Sequence, residues 1–298
     1  MNTKYIQTIP SSKKYEFTEE SFRLAKALLS ENKSYAYISK IFEITPETLS
    51  LLCKENKIDK DNRRKYTINE NFFKEINTPE QAYWLGFLDA DGYVYRNKII
   101  LALQKQDEST IKKFLTSIGS NKSIKYKTVL FDSKKEYHQA YVSVDSIVMV
   151  QDLAKYGCTT KKSLVLAPPT FLSKNLIPYW ILGYMDGDGC VSIFLDTKTK
   201  VRRLKISFTG TKEVLEYIKQ YFRNAAKIIQ EHRCHNNTYR FAITETKAIE
   251  FLSKVYSDKT IYKISLDRKR NRFFEYIDYR KERNASKSIR NSAESSIS

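Results

Sequence analysis

The chain has 298 residues, enough for two or three small units with separate cores. Hydrophobic residues make up 41% and aromatics 13%, which excludes a largely disordered chain, and no apolar run approaches the length of a helical membrane span. Lys and Arg number 52 against 34 acidic residues, and the resulting net charge of +18 predicts a polyanionic partner, with nucleic acid ahead of an anionic membrane surface.

From the N-terminus, residues 1–15 lack the apolar core of a secretory signal. Thr18 then caps a predicted helix with Glu19 and Glu20 in its first turn and Phe22, Ala25 and Leu29 on one face. A short helix comes next, over 34–42. Thr45 with Pro46 starts another over 46–56. Helix, tight turn and helix together suggest a helix-turn-helix, although Glu43 stands where the turn glycine is expected. Residues 1–75 therefore read as a small helical, DNA-binding domain. A plain helical bundle remains the alternative.

Five of the 8 glycines fall in two nine-residue windows. They read WLGFLDADG over 84–92 and ILGYMDGDG over 181–189, offset by 183 − 86 = 97 residues. The stretches downstream of the two windows also match. The first copy gives strand-like sequence over 93–104, a helix over 108–118, strands over 122–131 and 137–144, and a helix over 146–156. The second gives strands within 190–208, a helix over 212–222, strands over 227–232 and 238–244, and a helix over 247–256. This is an internal duplication of an α-β-β-α-β-β-α unit, at 78–166 and 174–283. Residues 167–173, with Pro168 and Pro169, link the copies, and 284–298 read as a disordered basic, Ser-rich tail. The cysteines Cys53, Cys158, Cys190 and Cys234 form no C-x-x-C pair and are expected as reduced thiols. The HRCH run at 232–235 has no second cluster to complete a zinc tetrahedron and is expected at a polar hairpin tip.

Each window is predicted as a helix, the first capped by Thr78 with Pro79 and Gln81 and stopped at Gly92 in a left-handed conformation. Gly86 and Ala90 share one face, as do Gly183 and Gly187, so the two helices are expected to pack closely along these residues. Their C-terminal ends would then bring Asp91 and Asp188 together. Two carboxylates at two negative helix ends call for a cation, and a hard divalent ion such as Mg²⁺ suits them and the carbonyls of Ala90 and Gly187. Asp89 and Asp186 lie two positions earlier, on the opposite side, and are expected in structural hydrogen bonds.

These paired windows resemble the LAGLIDADG motif, and the chain resembles the double-motif, single-chain LAGLIDADG homing endonucleases over residues 78–283. The first motif departs in having Trp84 for the leading Leu. The resemblance implies an α+β fold of two pseudo-twofold αββαββα repeats, with the motif helices at their interface and antiparallel sheets forming a saddle over double-stranded DNA. It implies metal binding by Asp91 and Asp188, with Mg²⁺ as cofactor, and staggered cutting across the minor groove. It also implies basic catalytic residues at Lys162 and Lys269, with Lys161 and Arg268 as alternatives.

Basic residues at period two mark candidate DNA contacts: Lys125 and Lys127 in the first copy, and Lys198, Lys200 and Arg202, with Arg203 and Lys205 on the other register, in the second. The expected partner is DNA, with intron RNA as a lesser one. The chain is expected to act as a monomer, because its two halves are already joined. It is expected to be soluble and intracellular, in cytoplasm, nucleoid or an organelle, and free-standing or intron-encoded. A non-cleaving maturase or transcription regulator is the rival reading, and two retained aspartates favour cleavage.

Overall fold

The computed structural model describes residues 6–9, 14–31, 33–58, 66–131, 135–160, 162, 165–224, 226–231 and 237–295. The chain divides into two compact units, Met1–Thr67 and Ile68–Ser298. In the first, strands β1 (Ile6–Ile9) and β2 (Lys14–Phe17) pair antiparallel ahead of three helices, α1 (Glu19–Ser30), α2 (Tyr35–Ile41) and α3 (Pro46–Glu55). Thr18, Ser34 and Thr45 each cap their helix by accepting a backbone N–H. Ala25, Leu29, Ile38, Phe42, Leu49, Leu52 and Cys53 form the core. The β-ribbon has no counterpart among the sequence expectations. The side chain of Phe17 ties its second strand to the helices, with its ring 6.3 Å from Phe22 and 6.0 Å from Phe42.

The second unit begins earlier than residue 78. Ser146 donates to Glu70 at 2.6 Å, Gln81 donates to the Phe72 carbonyl at 2.8 Å, and Phe73 is fully buried. Residues 68–75, expected with the N-terminal domain, thus pack on the first repeat. That repeat contains α4 (Pro79–Asp91), β3 (Gly92–Tyr95), β4 (Lys98–Gln104), α5 (Glu108–Ser117), β5 (Lys125–Phe131), β6 (Lys135–Asp145) and α6 (Ile147–Lys155). The second contains α7 (Ile177–Asp188), β7 (Gly189–Leu195), β8 (Arg202–Gly210), α8 (Lys212–Tyr221), β9 (Ile229–Gln230), β10 (Tyr239–Thr244) and α9 (Glu245–Tyr256), followed by α10 (Lys259–Ile264) and α11 (Asp267–Ser295).

The two antiparallel sheets share one strand order, β3-β4-β6-β5 and β7-β8-β10-β9. One face of each is apolar, through Val94, Ile99, Leu101, Val142 and Val144 in the first and Val191, Leu204, Ile206, Phe208, Phe241 and Ile243 in the second. Alternation sends Tyr93, Tyr95 and Tyr141 to the other face of the first sheet, and Cys190, Lys205 and Arg240 to that of the second. The fold is α+β, as expected.

Two expectations need correction. Gly92 is not left-handed: its φ is −73°, and a Cβ there would lie 2.7 Å from the Leu88 carbonyl oxygen, so this glycine supplies space rather than a positive φ. Residues 284–295 are helical, continuing α11, instead of forming a disordered tail. No Pro or Gly interrupts the chain beyond Gly210, so nothing stops a helix whose first turns are anchored by the buried Phe273 and Tyr276. The HRCH run lies outside the described residues.

Candidate active site

α4 and α7 make the most extensive contact between any two helices of the second unit. Their glycines explain it. A Cβ on Gly86 would lie 2.1 Å from the Trp180 carbonyl oxygen, and one on Gly183 only 1.9 Å from that of Tyr83. Backbone therefore meets backbone, in a twofold-like exchange. At Gly187 a Cβ would fall 2.3 Å from the Ala90 Cβ and 3.2 Å from the Asp91 nitrogen. The C-terminal ends of both helices are thus in contact, and Gly86, Ala90, Gly183 and Gly187 form the seam.

Reciprocal hydrogen bonds lock this seam. Tyr83 donates its hydroxyl to Asp186 Oδ2 at 2.8 Å, and Trp180 donates Nε1 to Asp89 Oδ2 at 2.8 Å. Tyr83 and Trp180 are related by the same offset as the motifs, 180 − 83 = 97. Each repeat thus supplies the donor for the other's middle aspartate. Both aspartates are buried, which raises their pKa values, that of Asp89 to about 7. Their structural role follows from these bonds. Trp84 is also fully buried, and its Nε1 donates to Ser117 at 2.8 Å, so the departure from Leu is absorbed within the first repeat.

The last aspartates behave differently. Asp91 and Asp188 present solvent-exposed surface at the two helix ends. Crowding by protein raises both pKa values. Asp188 reaches about 6, through desolvation first and the charge of Asp91 second, with Lys162 and Lys269 opposing. The donor set at this point is all oxygen, two carboxylates plus helix-end carbonyls, and the carboxylates carry repulsion that a cation would relieve. It suits a hard divalent ion. Among the described residues no group of three or more His, Cys, Asp or Glu side chains gathers as a metal cluster.

Lys162 and Lys269 are buried at these same ends. Lys269 Nζ donates to the carbonyls of Met185 and Asp186 at 2.7 Å each and reaches that of Gly187 at 3.4 Å. Lys162 Nζ donates to Gly92 and reaches the Ala90 carbonyl at 3.3 Å. Each ammonium thus offsets the negative end of its own repeat's motif helix. Burial lowers the Lys269 pKa. Arg268 points elsewhere, to Asp107 at 3.1 Å, and Lys161 lies outside the described residues.

The basic residues assigned to DNA do not all share a strand face. Lys125 and Lys127 stand exposed on β5 opposite Tyr141 and Gln139, with the Lys127 ammonium 5.4 Å from the Tyr141 ring centre. Lys198 and Lys200 fall in the β7–β8 turn, where Asp196 Oδ1 accepts from the Lys198 and Thr199 amides and Lys200 has φ 54°. The period-two reading of 198, 200 and 202 therefore fails, because the chain turns before Arg202. The guanidinium of Arg202 lies 5.4 Å from the Tyr279 ring, at the end of the sheet's covered face. Arg203 and Lys205 take the open face, Arg203 paired with Asp196 at 3.2 Å and Lys205 lying 5.6 Å from the Phe194 ring. The Tyr83–Asp186 and Trp180–Asp89 bonds were missed from sequence, although the shared offset was there to be read.

A profile of the LAGLIDADG endonuclease family matches residues 181–279, the second repeat. No curated protein matches the chain. Solved structures similar to it include the LAGLIDADG meganuclease I-AabMI bound to uncleaved DNA, with 14% identity over 70% of this chain and 92% of that one and a TM-score of 0.42. The LAGLIDADG homing endonuclease I-GzeII in complex with its DNA target gives 14% identity, 72% and 92% coverage and a TM-score of 0.45. I-SmaMI bound to an uncleaved DNA target in the presence of calcium ions gives 16%, 69%, 90% and 0.42. No helix among the described residues is long and apolar enough to cross a membrane.

Proposed function

We propose that this chain, whose residues 181–279 match the LAGLIDADG endonuclease family, is a site-specific, divalent-metal-dependent homing endonuclease that makes a staggered double-strand break in DNA. The observation that carries this reading is the pair Asp91 and Asp188 at two touching helix ends, each with a buried lysine beside it. A non-cleaving binder of the same fold is the rival reading, and the two aspartates retained at touching helix ends favour cleavage, which needs such carboxylates.

In this reading Asp91 and Asp188 hold Mg²⁺, assisted by the carbonyls of Ala90 and Gly187. The bound cation supplies positive charge at the scissile phosphate and favours ionisation of the attacking water. Lys162 and Lys269 keep the helix ends from repelling the phosphate and offer charge to its pentacovalent transition state. Asp89 and Asp186, engaged by Trp180 and Tyr83, fix the two helices at the spacing the site needs. The open sheet faces, with Lys125, Lys127, Arg203 and Lys205, contact the duplex on either side. Lys198, Lys200 and Arg202 serve phosphate contact from the hairpin end, and the helices of the first unit add a further DNA contact. The molecule works as a monomer.

The test uses a duplex carrying the sequence that flanks the reading frame when the frame's insertion is removed. With Mg²⁺ the protein should cut both strands, EDTA should stop it, and Asp188→Asn should bind with little loss while no longer producing double-strand breaks. Tight binding of that duplex by the unsubstituted protein without any cutting would instead establish a non-cleaving binder, and undiminished cutting by the variant would remove Asp188 from the site.

A further inference from the structure

A second polar cluster joins the two repeats, and the charge of its Asp107 reaches Asp91. Asp107 stands just before α5 in the first repeat, and Asp267 and Arg268 open α11 in the second. Arg268 grips Asp107 with two prongs, Nη2 to Oδ2 at 3.1 Å and Nε to Oδ1 at 3.4 Å. Asp267 accepts from Lys113 Nζ at 2.7 Å and from Ser109 Oγ at 2.8 Å. The same Lys113 ammonium donates to the Ser265 carbonyl at 2.8 Å. Three side chains of the first repeat thus hold residues 265, 267 and 268, and the next residue is Lys269.

Successive residues on a helix diverge by about 100° around its axis, so Arg268 and Lys269 cannot point the same way. Fixing Arg268 against Asp107 therefore fixes the rotation of the first turn of α11, and with it the direction of the Lys269 side chain. Lys269 needs that direction to reach the Met185 and Asp186 carbonyls at the end of α7. The clamp is partly shielded: Asp107 is 8% exposed, and the Lys113 side chain 20%. A related contact occurs in the other half. Thr211, which precedes α8 as Asp107 precedes α5, donates to the Leu166 carbonyl at 2.9 Å, close to the turn bearing Lys162.

We infer that Asp107 and Lys113 are positioning residues, through which the first repeat aims the lysine of the second. Each repeat's lysine then depends on the opposite repeat, and loosening this clamp disturbs the half of the site served by Lys269 more than the half served by Lys162. For its kinetic consequence the inference rests on the nuclease reading. For the aim of the lysine itself it does not.

The experiment uses full-length Asp107→Asn and Lys113→Gln, with Asp107→Glu as the conservative rescue, each checked for native thermal unfolding. Two readouts are taken. Amine acylation mapped by peptide mass should leave Lys269 protected in the unsubstituted protein and in Asp107→Glu. In the two clamp variants its modification should rise at least about tenfold while Lys162 stays protected, as expected when a side chain loses its fixed partners. On a duplex with a different label on each strand, one strand should be cut about tenfold or more slowly than the other in the clamp variants, so that nicked duplex accumulates, since small misplacement of a catalytic group costs that much. Continued protection of Lys269, or equal exposure of both lysines, would overturn the inference. Equal slowing of both strands would do so as well. If the unsubstituted protein cuts nothing, the nuclease reading fails, and the acylation result alone decides the positioning role.

Discussion

Asp188 shows how much one carboxylate can depend on its neighbours. Its pKa is pushed from 3.8 to about 6 by crowding and by Asp91. A raised acid pKa means that the folded protein keeps this proton where the unfolded chain has lost it. The contribution to stability is complete below pH 3.8 and is lost as pH rises through about 6. Carboxyl NMR of the cation-free protein should show Asp188 titrating near pH 6, and adding Mg²⁺ should move that midpoint down and release protons. Cutting should fall on the acid side of the shifted midpoint. A midpoint near the ordinary value without cation would mean that neither burial nor the charge of Asp91 acts on Asp188 as the structure has it. The identities of Asp91 and Asp188 were legible in sequence because each ends a motif. The hydrogen-bonding role of Asp89 and Asp186 was legible from helix geometry alone. Their partners were not, since a tyrosine and a tryptophan buried against an aspartate look like any core aromatics in one dimension.

At the scale of elements, the α4–α7 seam tolerates almost no added atom. A methyl on Gly183 would sit 1.9 Å from the backbone oxygen of Tyr83, a position that a rotamer change cannot relieve. Gly183→Ala should lower stability by about 3 kcal/mol or more in urea unfolding, at the upper end of overpacking costs. A loss within experimental error would show that the helices separate readily. The turn between α2 and α3 makes the opposite case. Glu43 occupies φ 55°, the left-handed region that glycine adopts freely. Glu43→Gly should stabilise the first unit by about 1 kcal/mol by relieving that strain. A destabilised variant would show that contacts of the Glu43 side chain outweigh it. Helix starts were readable because capping is local, as Thr18, Thr45 and Thr78 demonstrate. The pairing of β1 with β2 and the extent of α11 were not, because short strands and polar helices owe their state to what they pack on.

For the whole molecule, the charge of +18 predicts that the proposed DNA binding is an electrolyte effect. Affinity should fall by about 10³-fold or more between 50 and 200 mM salt, as release of several counterions requires. Fluorescence anisotropy on a duplex target would measure this, and a near-flat dependence would leave the basic surface without a phosphate partner. Deleting residues 1–67 should shorten the protected footprint while the second unit still binds, and an unchanged footprint would remove the first unit from the DNA interface.

The sequence by itself determined the duplication, the element order within each repeat, the glycine seam and the paired terminal aspartates. All of these are written in periodicity and in repeated spacing, which need no partner to be read. Tertiary structure alone decided which side chains cross between repeats. The Tyr83–Asp186 and Trp180–Asp89 exchange and the Asp107–Arg268 clamp join residues far apart in the chain, with no local signal. Such contacts depend on two surfaces meeting at one angle, and that angle is set by packing of the whole core rather than by any stretch of chain.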